Sequence, residues 1–189
     1  LDALAAGRVE PRRFWTLQPA DDPEPYDARR AATHAERYLE LLTSAVRLRL
    51  RSDVKVGSAL SGGLDSSSIV WLITRELHAA GAGEMQETFS CVYRTPGTEY
   101  CDESVHINRV AGALGVNSNQ VEPVAADVPA AHRAMIYYLD NPPESTLMSS
   151  WHTFMRVSRT DVVVTLDGQG ADEQLAGYPA FHHLRLCHV

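Results

Sequence analysis

The chain has 189 residues, of which 44% are apolar, 22% charged and 7% aromatic, and its formal net charge is −7. That length supports one sizeable core, so one domain, or most of one, is expected. The acidic balance excludes a general nucleic-acid binder, which needs a basic face, and no run approaches the roughly 20 apolar residues that cross a bilayer.

An acidic chain can still bind phosphate, because backbone amides and one divalent ion offset the charge. Cys91, Cys101 and Cys187 have neither CxxC spacing nor histidine partners, so they read as reduced thiols of a cytoplasmic protein. No signal peptide is visible. The absence of an initiator Met before Leu1, and a single lysine, Lys55, among 17 basic residues, suggest a fragment.

In chain order, residues 1–26 read as a linker, with Pro11, Pro19, Pro23 and Pro25 and no sustained periodicity. The remainder, 27–189, reads as a domain. Ala35, Tyr38, Leu39, Leu42, Val46 and Leu50 recur at helical spacing, and Arg47, Arg49 and Arg51 suit that helix's C-terminus. Val54 to Leu60 predicts a short buried strand, Ser66 to Leu77 a helix, and Gly81-Ala82-Gly83 a break. Thr88 to Tyr93 predicts a second strand, Asp102 to Leu114 a helix stopped by Gly115, and Asn119 to Val121 a third strand. Helices are expected over Val128 to Leu139 and Ser145 to Val157, separated by the turn Asn141-Pro142-Pro143. Asp161 to Leu166 predicts an apolar strand. Short strands alternating with helices imply a doubly wound parallel sheet covered on both faces. In such a sheet ligands sit beyond the carboxyl ends of the strands, so the loops after Leu60, Tyr93 and Leu166 are where chemistry is expected.

The first of these loops reads Ser61-Gly62-Gly63-Leu64-Asp65-Ser66-Ser67. Two glycines allow a tight turn and a close backbone approach. Ser66 and Ser67 open a helix, where unpaired N–H groups favour an anion. A carboxylate beside such a cradle repels phosphate unless a cation lies between, so Asp65 predicts Mg²⁺. The plain alternative is a Gly-rich turn with a serine N-cap. The loop after the last strand reads Asp167-Gly168-Gln169-Gly170-Ala171-Asp172-Glu173, then Gly177-Tyr178. It adds Asp172 and Glu173 on the same sheet edge as Asp65. The plain alternative there is a Gly/Asp loop with Asp172 capping a short helix.

The first loop lacks the GK[ST] of a Walker A motif. It resembles the pyrophosphate-binding loop, Ser-Gly-Gly-x-Asp-Ser, of the ATP pyrophosphatase superfamily, whose members cleave ATP between the α and β phosphates. With the second loop, the chain resembles the synthetase domain of the glutamine-hydrolysing asparagine synthetase family, whose pattern is S/D-G-x-G-A/S-D-E followed by G-Y. Phe14-Trp15, Thr98-Glu99-Tyr100, Asp102-Glu103-Ser104 and Asp140-Asn141-Pro142 fit the same resemblance. It implies that Asp65 and Asp172 hold Mg²⁺, and that Ser61, Gly62, Gly63, Ser66 and Ser67 hold pyrophosphate. Leu60, Cys91 and the Asp167-Gly168 backbone would line the adenosine pocket, with Asp65, Asp172, Glu173 and Gln169 at the reacting centre. It further implies adenylation of L-aspartate by ATP, ammonia from glutamine, and a glutaminase domain preceding residues 1–26.

Asparagine synthetases proper usually carry Glu where this chain has Gln169, and a glutamine is no general base. That leaves open an enzyme forming another amide, of peptide, polysaccharide, natural-product or β-lactam type, or a nucleotide-binding module without turnover. The family also uses a lysine beyond the second loop, and Lys55 cannot match it. The 189 residues alone are therefore expected to bind ATP–Mg²⁺ without completing amide synthesis. Edges left bare by absent C-terminal helices would favour self-association, a homodimer included. His132, His152, His182, His183 and His188 form no ligand spacing, whereas Trp71, Trp151, Met148 and Met155 fit a core.

Overall fold

The computed structural model describes residues 7, 12–18, 25–82, 85–143 and 147–187. Pro11, Pro19 and Pro23 of the expected linker, Gly83 of the expected break, Ser145 and His188 lie outside them. The chain divides into two compact units, Leu1–Tyr38 and Leu39–Val189. The division falls inside the first helix, α1 (Ala28–Arg49). In the first unit Asp27 caps this helix, its Oδ1 accepting the amide of Arg30 at 2.8 Å.

The second unit is built on β1 (Val56–Ala59), β2 (Glu87–Cys91), β3 (Asn117–Val121) and β4 (Val164–Thr165). They form one parallel sheet in the order β3-β2-β1-β4. The sheet first grows from β1 through β2 to β3, and the chain then crosses back to place β4 on the other side of β1. The crossovers are α2 (Leu64–Ala79), α3 (Ser104–Leu114) and the pair α4 (Val128–Leu139) and α5 (Leu147–Val157). Two short helices, α6 (Ala171–Leu175) and α7 (Pro179–Leu186), follow β4. This is the doubly wound α/β architecture expected from the alternating pattern.

Side-chain alternation assigns each face. Leu60 and Val92 pack with Val70 of α2 and Ile107 of α3 on one side. Phe89 packs with Val157 of α5 and Val162 on the other. A further cluster joins Val46 of α1 to Ile69, Leu72 and Ile73 of α2, with Leu166 against it. Arg47 and Glu76 tie α1 to α2 through bonds of 2.8 and 3.2 Å. The side of the sheet that faces α2 and α3 carries three buried hydroxyls, Ser58, Thr88 and Ser90. Each donates to a neighbouring strand-end carbonyl, those of Leu166, Asn117 and Leu60 in turn. These small, satisfied side chains let helices lie close to the strands.

Several elements differ from the sequence expectation. The fourth strand has two residues, although Val163 N–H to Lys55 C=O (3.2 Å) and Leu166 N–H to Gly57 C=O (2.9 Å) extend its pairing. Val163 is 68% exposed and Val164 43%, and this strand ends the sheet order. Trp71 and Met155, expected in the core, are exposed, and Trp71 instead receives the Arg75 guanidinium 4.8 Å from its ring centroid. A single turn of 3₁₀ helix, Glu99–Cys101, precedes α3.

Gly57 sits in the middle of β1 for a steric reason. A Cβ there would lie 2.9 Å from the Phe89 ring, 3.0 Å from Val162 and 3.1 Å from the Glu87 carbonyl oxygen. Gly57→Ala is expected to destabilise by about 1–3 kcal/mol, the usual effect of overpacking. Gly112, in α3 where an added Cβ would meet nothing outside its own helix within 4 Å, gives the contrast: Gly112→Ala is expected to stabilise by about 0.5–1 kcal/mol. Urea denaturation midpoints of the two variants check both signs.

Candidate functional site

β1 ends at Ala59 and the chain turns through Leu60-Ser61-Gly62-Gly63 into α2. Gly62 adopts φ +82°, and a Cβ on it would fall 2.6 Å from that of His106 and 2.8 Å from the Ile107 amide nitrogen. The turn is thus pressed onto the start of α3, which only glycine permits. Gly63 takes the N-cap position of α2 without a side-chain cap. The serines bind one another: Ser66 Oγ receives the Ser61 amide at 3.2 Å, and the two hydroxyls are 3.0 Å apart. The Ser67 hydroxyl is buried with no hydrogen-bond partner among the described residues. The arrangement gathers polar hydrogens at the N-terminus of a 16-residue helix, the ordinary makings of an anion cradle.

The second loop is locked to the first. Asp167 Oδ1 accepts the Ala59 amide at 2.8 Å, and Oδ2 accepts the Thr165 hydroxyl at 3.2 Å. One residue on, Gly168 lies against the first turn of α2. A Cβ there would be 2.9 Å from the Ser66 nitrogen and 3.1 Å from the Asp65 Cβ. The chain then enters α6 through Gly170 (φ +95°) and places Asp172 and Glu173 in its first turn. These two loops follow β1 and β4, the strands on either side of the point where strand order reverses.

A cleft of about 710 Å³ opens over these strand ends. Of the residues singled out in the sequence, Leu60, Ser61, Asp65, Ser66, Cys91, Asp167, Gly168, Gln169, Asp172 and Glu173 line it. Gly62, Gly63 and Ser67 do not; they shape the turn from behind. Among the described residues, no group of three or more His, Cys, Asp or Glu side chains is placed to hold a metal by itself.

On the opposite wall the sequence reading pointed to the loop after Tyr93 but assigned no residue a role and missed the contribution of α5. This wall comes from the end of β2, the start of α3 and one face of α5, and includes Tyr93, Tyr100, Glu103, Ser149, Ser150 and Thr153. Tyr93 and Ser149 hydroxyls meet at 2.6 Å. Burial and then the neighbouring Cys91 thiol push the Tyr93 phenol up to about 12, and burial also raises Cys91. Both groups therefore stay neutral at physiological pH. The available signal was Ser149 and Ser150 placed four and three residues before Thr153, which puts three hydroxyls on one side of the helix. Tyr178 lines the cleft from the far side and donates to Glu173 Oε1 at 2.9 Å. The Glu173 bond, then partial burial, then the charges of Glu173, Asp172 and Asp65 raise its pKa.

This is a doubly wound α/β domain with glycine loops paired at its topological switch point, the place where such domains bind nucleotides. The asparagine synthase family model matches residues 37–188, and the chain belongs to that family. Amidase chyE of Penicillium rubens is 28% identical over 186 residues, covering 92% of this chain and 27% of that protein. Asparagine synthetase [glutamine-hydrolyzing] of Sandersonia aurantiaca is 30% identical over 158 residues, 76% of this chain and 29% of that protein. The Cricetulus griseus protein of the same name is 31% identical over 147 residues, 75% of this chain and 25% of that protein. The chain thus spans under a third of the length of these relatives.

Two carboxylates give testable consequences. Asp167→Ala strands the Ala59 amide and is expected to lower stability by about 1–3 kcal/mol, while Asp167→Asn, which keeps an acceptor oxygen, loses less. Chemical denaturation of both variants reads the difference. Asp102 accepts the Ser104 hydroxyl at 2.7 Å and the Tyr93 and Ser104 amides, and the hydroxyl bond chiefly holds its pKa below the usual range. A depressed folded-state value means the contribution is whole above about pH 4 and is lost as pH falls further. Asp102→Asn is therefore expected to flatten acid destabilisation below pH 4, measured as denaturation midpoint against pH.

Proposed function

We propose that this chain is the ATP-handling part of an amide-forming ligase, in which a carboxylate is adenylated and the acyl group passes to ammonia. The observation that carries this reading is the contact of Gly168 with Asp65 and Ser66, which sets two glycine loops side by side over one cleft. In this reading Ser61, Gly62, Gly63, Ser66 and Ser67 bind the departing pyrophosphate through amides and hydroxyls. Leu60, Cys91 and the Asp167-Gly168 backbone border the adenosine.

Asp65 and Asp172 would hold Mg²⁺. The donor set fits that ion: two carboxylates on adjoining loops leave coordination positions for phosphate oxygens and water. Bound there, Mg²⁺ would supply charge neutralisation at the phosphates. The remaining steps belong to the chain and its substrates. An oxygen of the acceptor carboxylate attacks the α-phosphorus and pyrophosphate leaves. Ammonia then attacks the acyl carbon and AMP leaves.

L-Aspartate, giving asparagine, is the first acceptor to test, with ammonia drawn from glutamine by an N-terminal glutaminase domain of a longer, cytoplasmic polypeptide that self-associates as a homodimer. In that polypeptide residues 1–26 are the linker and 27–189 part of the synthetase domain. One observation favours a second reading, in which another carboxylate is amidated. Gln169 lines the cleft where a glutamate would serve aspartate chemistry, and no lysine, arginine or histidine lines it among the described residues. The spare carboxylate of aspartate would then need its counter-charge from elsewhere.

Calorimetric titration of ATP is expected to give saturable binding that requires Mg²⁺. Asp65→Ala should weaken it at least about tenfold, equivalent to roughly 1.4 kcal/mol. Pyrophosphate release stimulated by L-aspartate would favour the asparagine reading, and release with other carboxylates alone would favour the second. Binding without release under any condition would reduce the domain to a nucleotide-binding module.

A further inference from the structure

Nothing so far assigns Tyr178 a role, yet the backbone is bent to bring it back over the second loop. α6 ends at Ala176, which adopts φ +57°, a left-handed conformation that non-glycine residues seldom take. The next amide, Gly177 N–H, binds the Asp172 carbonyl at 3.0 Å. Glycine at 177 leaves the Asp172 carboxylate the space that a Cβ would fill. This reversal returns the Tyr178 ring to the cleft, where it packs 5.7 Å from Phe181 and donates to Glu173 Oε1 at 2.9 Å. Strained backbone held at a cleft calls for a functional account.

The bond divides the carboxylates beside it. Asp65 and Asp172 are left for the cation, while Glu173 has one oxygen fixed by the phenol and Oε2 in no hydrogen bond among the described residues. Gln169 lines the same cleft and offers only a neutral amide. Glu173 is therefore the strong acceptor on this loop that is not committed to the ion.

Resting on the amide-forming reading above, we propose that Tyr178 is a positioning residue for the amide-forming step: its hydroxyl fixes the Glu173 carboxylate so that Oε2 accepts an N–H of the attacking ammonia and aims its lone pair at the acyl carbon. In that step the C–N bond forms, the acyl C–O bond to phosphate breaks, and AMP leaves with the electron pair. The proton shed by nitrogen passes to water. Without the alignment the activated acyl group persists until water takes it, so pyrophosphate is released without amide.

The test counts pyrophosphate and amide in the same reaction, run on the longer polypeptide that carries this domain, with ATP, Mg²⁺, ammonium chloride and a panel of L-aspartate, L-glutamate and 3-phenylpropionate. Tyr178→Phe keeps the ring on Phe181 and removes only the donor. It is expected to release pyrophosphate with an unaltered KM for ATP, while amide formed per pyrophosphate falls roughly tenfold or more. Glu173→Gln should lower the same ratio, and the double variant should fall no further than the single ones, because the two groups act as one unit. A purely structural role would lower pyrophosphate and amide together. An unchanged ratio in Tyr178→Phe, or additive losses in the double variant, would overturn the assignment while leaving adenylation standing. A parent protein that releases no pyrophosphate with any of the three acids would sink both readings together.

Discussion

The structure turns on how a two-residue strand is held in register. β4 contributes only Val164 and Thr165 to the ladder, yet everything after it depends on its position relative to β1. The Ser58 hydroxyl binds the Leu166 carbonyl, the Leu166 amide binds the Gly57 carbonyl, and the Asp167 carboxylate takes the Ala59 amide. Three consecutive residues of β1 thus grip two of the second loop. Glycine at 168 then lets that loop settle on the first turn of α2, with no slack for even a methyl group. Two loops distant in sequence are fixed against each other by polar stitching and close approach, not by a large apolar contact.

That economy shapes the composition of the central strands. β1 reads Val-Gly-Ser-Ala, with no bulky residue after its first position. Phe89 fills the space over Gly57 on one face, and on the other Ser58, Thr88 and Ser90 lie under the helices with their hydroxyls satisfied. The bulk of the core is supplied from the helices instead, by Val70, Leu72, Ile73 and Ile107. Small strand residues bring the first turn of α2 near the strand ends, where its N-terminal amides converge with the serine hydroxyls.

Much of this was legible in the sequence, and the failures have physical causes. Periodicity located all four strands and the main helices, because alternation between short β-rich runs and amphipathic segments survives without tertiary information. The glycine loops were legible because a positive φ and a close backbone approach leave a residue type behind: Gly62 and Gly168 could be little else. Burial was less so. Trp71 and Met155 read as core but are exposed, because what packs against a helix face is a property of the tertiary arrangement, which no local window contains. The α5 wall was missed for a related reason. Ser149 and Thr153 are ordinary helix residues until the crossover back from β3 lays that helix across the end of β2, where Tyr93 meets Ser149.

The two walls of the cleft differ in how much change they tolerate, and this bears on where specificity can reside. In the loop wall a Cβ added to Gly62 or Gly168 would fall within about 3 Å of neighbouring backbone, so an added atom there displaces a strand end or a helix start. Its residues can be replaced only at the cost of the cradle itself. The α5 wall is joined to the rest through the Tyr93–Ser149 bond, the Arg156–Asn119 bond and the Phe89–Val157 packing, and of its cleft-facing hydroxyls Ser149 and Ser150 are only partly buried while Thr153 is buried. Exchanging a serine or a ring there alters what the cleft accepts while leaving the loops in place. A fold arranged this way can keep one phosphate chemistry and change the molecule it acts on. In this chain that separation runs between Asp167, both of whose carboxylate oxygens are engaged, and Ser150, which borders the cleft from α5.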